Sequence, residues 1–439
     1  MSTTTDMERR AFLQASVAVG AALAMNRALA QAEPGPQAVR LGVVGVGGRG
    51  TGLLQTALQL PGVEVRAVCD VLPAKAEQAQ QIVEKQTGRR PEAYAQDEFA
   101  WKGLVARDDL DAVLIATPWE WHARMAVGAM QAGKVAGVEV PAAITLDECW
   151  DLVRVSEQTG KACMMLENVC YFQNVLTLLR MVREGVFGEL LHCEAGYQHD
   201  CRFLLFDAQG ELTWRGRHTA ERNGNLYPTH PLGPIGQWLN INRGDRFTQL
   251  VSMSTGAKGM REYAARTLGA DHPAARREYA QGDVNTSLLK TANGQTVTLY
   301  FDLLTHRPYD LIFRVQGTAG IYLGTLNQVC LRTKASDAEQ WAPFDPYLST
   351  HAHPLWQATA EAALKNGGHG GSDYVMMHDF IRAVRARGPT PQDVYDAATW
   401  SAVFPLSCAS VAAGSQPVEF PDFTQGKWKT TPPLPLAGA

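Results

Sequence analysis

Low-complexity tracts are absent from this 439-residue chain, and no period of the kind that builds solenoids or propellers runs through it. A repeat array is excluded, and the composition is that of a globular protein, with 46% hydrophobic and 19% charged residues. Charge of one sign is also missing. The 40 Lys and Arg stand against 44 Asp and Glu, a net charge of −4, so there is no general basic field for nucleic acid or for an anionic membrane. Eight cysteines are scattered with neither a C-x-x-C pair nor the spacing of a disulfide framework. Cys69 and Cys163 lie in apolar runs, and Cys149 and Cys170 beside aromatic residues, so buried free thiols are expected. Cys193 and Cys201 would pair only if the fold brings them close. His351-Ala352-His353 has no cysteine or carboxylate partner at ligand spacing, so no metal site is expected. The apolar run at residues 15–25 is too short for a stable bilayer anchor.

What is present starts with glycine. Gly45-Val46-Gly47-Gly48-Arg49-Gly50 follows the apolar run Val39–Val44 and opens a helix-like stretch at residues 51–57. A second apolar run, Val63–Cys69, ends in Asp70. Strand, glycine turn, helix, strand and acid come in the order a dinucleotide site requires. Gly45 permits the tight turn, Gly47 lets the backbone approach a pyrophosphate, and Gly50 lets the helix pack on the strand. The helix N-terminus then faces the phosphates. Asp70 suits two ribose hydroxyls and would repel a 2′-phosphate, which favours NAD over NADP.

Strand-like and helix-like stretches go on alternating through residues 73–85, 111–117, 122–132, 135–140, 146–159 and 162–166. The α/β pattern predicts a doubly wound parallel Rossmann sheet over residues 39–167, with its ligand at the carboxyl ends of the strands. Asp70, Thr117-Pro118-Trp119-Glu120-Trp121-His122, Glu139 and Glu167-Asn168 fall there. Chain length favours two domains, and residues 168–415 read as a second one, of α+β type. A helix is expected at 176–184, a strand at 188–197 and a hairpin at 287–304 turning at Asn293-Gly294. Strands follow at 311–315 and 320–323, and helices at 374–387 and 394–412. The expectation is an open, largely antiparallel sheet, one face free to cover the nucleotide and bind substrate. The proline-rich tail, 416–439, is expected to wrap the surface.

The N-terminus reads as targeting rather than fold. Glu8-Arg9-Arg10-Ala11-Phe12-Leu13-Gln14 resembles the twin-arginine export signal, and Ala28-Leu29-Ala30 supplies a cleavage pattern. Residues 1–30 would be removed, with Ala32 the other cleavage candidate, leaving 31–38 as a short leader. The alternative is an amphipathic or disordered tail. Export implies the twin-arginine machinery as a partner and the periplasm as destination. Free NAD is scarce there, so a nucleotide enzyme should carry its own. That requires a nanomolar or lower dissociation constant, about −12 kcal/mol, and NAD restored to its starting redox state every turnover.

Thr117-Pro118 … His122 and Glu139-Val140-Pro141, followed by a sheet domain, resemble the glucose–fructose oxidoreductase/inositol dehydrogenase superfamily. The resemblance implies Glu-Lys-Pro at the turn, with the lysine moving a proton. Val140 stands in its place and cannot, which disfavours a simple sugar oxidoreductase. A closer resemblance, over essentially the whole mature chain, is to glycoside hydrolase family 109, NAD-dependent α-N-acetylgalactosaminidases. The matching runs include Gly47-Gly48-Arg49-Gly50, Leu166-Glu167-Asn168, Gly196-Tyr197-Gln198-His199-Asp200 and Gly224-Asn225-Leu226-Tyr227-Pro228-Thr229-His230. Asn242-Arg243-Gly244-Asp245-Arg246, Arg307-Pro308-Tyr309, Gly367-Gly368-His369-Gly370-Gly371 and Val394-Tyr395-Asp396-Ala397-Ala398 continue the set, and Pro421-Asp422-Phe423-Thr424 completes it.

The chemistry this resemblance implies departs from the two-carboxylate pattern of most glycosidases. NAD takes hydride from C3 of the sugar, the ketone acidifies the C2 proton, the C1 leaving group is eliminated, water adds, and the hydride returns. Tyr227 and His230 would project from one rigid loop and move protons at C3 and C2, the division between them open. His can work near neutrality, while Tyr would need a lowered pKa. His369, made mobile by four flanking glycines, would be acid and base at C1. Retention is expected for α-linked substrates, with activity on β-linked ones left open. The resemblance also implies that Tyr197, Arg215, Tyr227, Thr229, His230 and Tyr309 hold the sugar. NAD would be held by Gly45, Gly47, Gly48, Arg49, Gly50, Asp70, Trp119, Glu120, Trp121, His122, Glu139, Val140 and Asn168. The partner is a glycan or glycoside, with a homodimer through the open sheet face expected from the superfamily. An idle sugar-binding protein with structural NAD is the reading from another class.

Overall fold

The computed structural model describes residues 38–332 and 339–436. The expected export signal, residues 1–30, and all of the leader but its last residue lie outside the described residues. The described residues from Val39 onward form one compact unit. No helix among the described residues is long and apolar enough to cross a membrane.

The first sheet has six parallel strands: β1 (Val39–Val44), β2 (Val63–Cys69), β3 (Glu92–Tyr94), β4 (Ala112–Ile115), β5 (Val135–Val138) and β6 (Cys163–Met165). Their order is β3-β2-β1-β4-β5-β6, the doubly wound arrangement expected. β1 and β4 are almost wholly buried, which is why they read as continuous apolar runs rather than alternating ones. Five helices connect them, the short one at Trp101–Val105 and four longer ones: α1 (Gly48–Ala57), α2 (Pro73–Thr87), α3 (Trp119–Gln131) and α4 (Leu146–Thr159). Thr145 and Glu148 close a capping box on α4, and Gly160 ends it in the left-handed conformation. β3 was missed by sequence reading; three residues are too few for a periodic signal.

The second sheet has nine strands: β7 (Leu190–Gln198), β8 (Phe247–Ser254), β9 (Asn285–Thr291), β10 (Thr296–Asp302), β11 (Arg314–Gly317), β12 (Gly320–Leu323), β13 (Gln328–Leu331), β14 (Ala342–Pro343) and β15 (Val418–Glu419). The order is β14-β13-β12-β11-β7-β10-β9-β8-β15, and every pair but β7–β10 is antiparallel. The β9–β10 hairpin turns where expected, with Gly294 at φ +100°. Helices of this part include α5 (Gln173–Arg183), α6 (Trp214–Glu221), α7 (Thr229–Trp238), α8 (Ser372–Ala386) and α9 (Val394–Ala412). One buried cluster runs from Val39 and Leu41 through Trp238 and Phe247 to Trp400 and Phe423, so both sheets share a core.

One expectation needs correction. The tail does not only wrap the surface: β15 pairs with β8, and Phe420 and Phe423 are buried. The free thiols are as expected: all eight cysteines are unpaired, Cys193 and Cys201 among them. Among the described residues, no group of three or more His, Cys, Asp or Glu stands where it could hold a metal ion. His353 instead accepts the Leu355 N–H as a helix cap.

Candidate active site

The carboxyl ends of the six-stranded sheet open onto a cleft of about 720 Å³ that also takes in residues of β7, α6 and α7. At one end is the glycine turn. Gly45 has φ +81°, and a Cβ on Gly50 would lie 1.7 Å from the Gly45 carbonyl oxygen. A Cβ on Gly47 or Gly48 would meet nothing within 4 Å, so the turn presents bare backbone to the cleft. Gly47 caps α1 without a side-chain hydrogen bond, which leaves N–H groups of the first turn for a ligand. The Asp70 carboxylate is fixed beside this turn, accepting from the Val46 N–H at 2.9 Å and the Leu72 N–H at 3.0 Å. Asp97 and Glu98, not singled out in the sequence, line the same end. Three carboxylates there add to the repulsion a 2′-phosphate would meet. This end fits a dinucleotide without that phosphate.

The other end is built around three buried carboxylates, Asp373, Glu139 and Glu167. Asp373, in the first turn of α8, receives both terminal nitrogens of Arg49 at 2.7 and 3.1 Å, Asn168 Nδ2 at 2.9 Å and His369 Nδ1 at 2.9 Å. Arg49 Nε donates to Glu139 at 2.6 Å. Burial pushes the Asp373 carboxyl up, but His369 and Arg49 hold it far below the usual carboxylate range. The same hydrogen bond raises the pKa of His369.

Glu167 is fully buried and accepts from His230 Nδ1 at 2.7 Å. Gln392 clamps its backbone, accepting its N–H at 3.0 Å and donating to its carbonyl at 2.9 Å. The second Glu167 carboxylate oxygen has no protein partner among the described residues. His230 Nε2 is left for the cleft, in the arrangement of a base oriented by a carboxylate. Around it, Tyr227 and Tyr197 stand 4.9 Å away, ring centre to ring centre. Burial, with Glu139 adding to it, pushes the Tyr227 phenol well above its ordinary pKa, and Arg215 only partly opposes this.

Between the two ends, Trp119 packs on Tyr227 at 5.5 Å, Trp214 at 5.0 Å and His218 at 5.1 Å. The Arg215 guanidinium lies 4.0 Å over Trp214, with no ion pair among the described residues. His218, which the sequence reading passed over, also meets Glu120 at 3.3 Å.

Most of the residues expected from sequence meet in this cleft. Gly45, Gly47, Gly48, Arg49, Asp70, Trp119, Glu120, Trp121, His122, Glu139, Val140 and Asn168 line it, as do Tyr197, Arg215, Tyr227, His230 and His369. Gly50 lies beneath the turn, Thr229 is buried behind the wall, and Tyr309 stands outside the lining, 6.2 Å from Tyr197. His122 lies between two carbonyls, with Nδ1 2.8 Å from Pro141 O and Nε2 2.7 Å from Thr117 O, and its neutral ring donates to one of them.

Two local expectations change. Tyr227 and His230 do not share one loop, because Tyr227 ends a loop and His230 lies in the first turn of α7. His369 is docked on Asp373 rather than loose among its glycines. Gly370 and Gly371 have φ +69° and +98°, and a Cβ on Gly368 would lie 2.7 Å from Asp373, so these glycines serve conformation and close approach. Glu167 was placed at the strand ends but given no role, and Asp373 was missed, although an acid four residues after His369 at a helix start was a usable signal.

Residues 39–167 match the family model described as "Oxidoreductase family, NAD-binding Rossmann fold", and residues 171–430 match "Glycosyl hydrolase 109, C-terminal domain". A glycosyl hydrolase family 109 protein of Shewanella pealeana is 45% identical over 408 residues, covering 92% of this chain and 90% of that protein. One of Stenotrophomonas maltophilia is 42% identical, covering 98% of each. Among solved structures, levoglucosan dehydrogenase in complex with NADH and levoglucosan superposes with a TM-score of 0.67 at 20% identity, over 88% of this chain and all of that one. An NAD-binding oxidoreductase from Klebsiella pneumoniae gives 0.69 at 17% identity, over 88% and 99%. At such identities these two share the fold alone.

Proposed function

The chain belongs to glycosyl hydrolase family 109, built on an NAD-binding Rossmann fold, and from that premise we propose that it cleaves α-linked N-acetylgalactosamine or a near relative. The observation that carries the reading is the pair of carboxylate-held histidines, Glu167–His230 and Asp373–His369, in the cleft that the glycine turn opens onto. NAD, when bound, supplies a hydride acceptor for C3 of the sugar and gives the hydride back at the end. The chain's own groups then have proton work to do. His230 Nε2 is the base, because its Nδ1 is committed to Glu167. Tyr227 keeps its proton in this pocket and serves as a hydroxyl donor to the sugar. His369 is the acid at the glycosidic oxygen, since the Asp373 carboxylate favours its protonated form. Arg215 and Tyr197 hold the pyranose.

Val140 supports this over a simple sugar oxidoreductase, because it lines the cleft and has no proton to exchange. The twin-arginine-like N-terminus supports export to the periplasm with NAD already bound, retained and returned to its starting state each turnover.

The test is to incubate the purified protein with an aryl α-N-acetylgalactosaminide in deuterated water, with no NAD added. Aryl release with deuterium at C2 is expected. Release without exchange at C2, together with an unimpaired His369→Ala variant, would overturn the mechanism. Net conversion of the sugar to a lactone or alditol would make the protein an oxidoreductase instead.

A further inference from the structure

Asp373 collects four N–H donors from three separate segments: Arg49 beside the glycine turn, Asn168 after β6, and His369 four residues upstream. The carboxylate is almost completely buried, so each of those bonds is made in a region where a lost partner is costly. His369 itself is held in an unusual way. Its backbone has φ +51°, the left-handed region that a residue with a Cβ avoids, and its side chain is more than half exposed. An exposed ring on a strained turn has no packing to fix it, and Asp373 is its hydrogen-bond partner. The charged groups that act on the ring are Asp373, Arg49 and Glu139.

We propose that Asp373 is the positioning residue of the leaving-group acid: it fixes His369 with Nδ1 as donor, leaves Nε2–H for the glycosidic oxygen, and through Arg49 and Asn168 ties that acid to the nucleotide rim of the cleft. This rests on the glycosidase reading. His230 Nε2 takes the C2 proton; as the C2–H bonding pair becomes the C1=C2 double bond, the C1–O bond breaks with its pair on oxygen, and His369 Nε2 gives that oxygen its proton. The neutral His369 imidazole then takes a proton from the water that adds at C1, while His230 returns a proton to C2. Asp373 stays ionised throughout and touches no reacting atom.

The test compares wild type with Asp373→Asn, which keeps the size of the side chain and removes its charge. Rates are measured on an alkyl α-N-acetylgalactosaminide, whose leaving group needs a proton, and on a 4-nitrophenyl one, whose leaving group scarcely does. The alkyl substrate is expected to slow more than the nitrophenyl one, by a further factor on the order of 100. The basic limb of the pH–rate profile is expected to move to lower pH. Equal slowing of both substrates with an unmoved limb would reduce Asp373 to a structural residue.

A second measurement is independent of turnover: titration of the His369 ring by NMR in isotope-labelled protein. Asp373→Asn is expected to lower its pKa by a unit or more and to lose the Nδ1–H tautomer. An unchanged titration and tautomer would overturn the proposal. If wild type releases no aryl group, the glycosidase reading falls, while the His369 titration still decides the role of Asp373. Should the single variant fail to fold because the Arg49 charge is left unpaired, the Arg49→Met, Asp373→Asn pair removes that charge and allows the same titration.

Discussion

Gly48 and Gly50, two residues apart, should fail differently when given a side chain. A Cβ at Gly50 would sit 1.7 Å from a backbone oxygen, and backbone cannot move aside cheaply. Gly50→Ala is expected to lose about 2 kcal/mol of stability or more, read as a drop in melting temperature. At Gly48 the Cβ meets open space facing the cleft. Gly48→Ala should melt like wild type and yet retain less NAD through gel filtration. Equal melting of the two variants would contradict this division of labour. Glu167→Gln should leave His230 in place but remove the carboxylate that holds its Nδ1 as a donor. A fall in kcat of about 10²–10⁴-fold with KM nearly unchanged is expected. An unchanged kcat would remove His230 from the base role.

The glycines, Asp70 and His230 were legible because each belongs to a short local motif. The roles of Glu167 and Asp373 were not, because what matters about them is a partner across the fold. His230 lies 63 residues from Glu167, and Arg49 lies 324 from Asp373. No single stretch of sequence carries either pairing.

Among the elements, the parallel strands were legible because burial on both faces leaves unbroken apolar runs. β8 was not, for two physical reasons. A register shift between Phe247 and Gln249 breaks its alternation, and its inner face carries Ser252, bonded to Asn285 and Ser287 instead of apolar side chains. α7 was hidden by Pro231, Gly233, Pro234 and Gly236, residues that argue against a helix. Tertiary packing overrides them: a Cβ at Gly233 would strike Cys170 and Glu167, and one at Gly236 would strike Trp400. The helix Pro354–Asn366 has a titratable cap. His353 is buried and accepts the Leu355 N–H at 3.2 Å through Nδ1, which must therefore be unprotonated. Burial pulls its pKa down from 6.5 to about 4. The unfolded chain thus takes up the proton first, and this contribution is complete above pH ~6.5 and lost as pH falls toward ~4. Between pH 7 and 4.5 wild type should lose roughly 2 kcal/mol more than His353→Asn, whose amide caps without titrating. Parallel acid-denaturation curves would contradict that.

For the whole molecule, two sheets share a continuous core, so the nucleotide turn on one and the tyrosine–histidine cluster on the other are held in one rigid frame. The class of each sheet was legible from strand patterning. Its joining into one core was not, because the contacts that join them, such as Arg49 with Asp373 and Glu167 with Gln392, link residues hundreds of positions apart. The central claim is that a captive NAD oxidises the sugar only long enough to break its bond. The most direct measurement follows deuterium placed at C3 of an aryl α-N-acetylgalactosaminide, mixed with an equal amount of unlabelled substrate carrying a different aryl group. With no NAD added, the account predicts a slowed reaction for the labelled sugar and its deuterium back at C3 of the same sugar, none crossing to the other. Absence of an isotope effect, or deuterium scrambled between the two sugars, would contradict it.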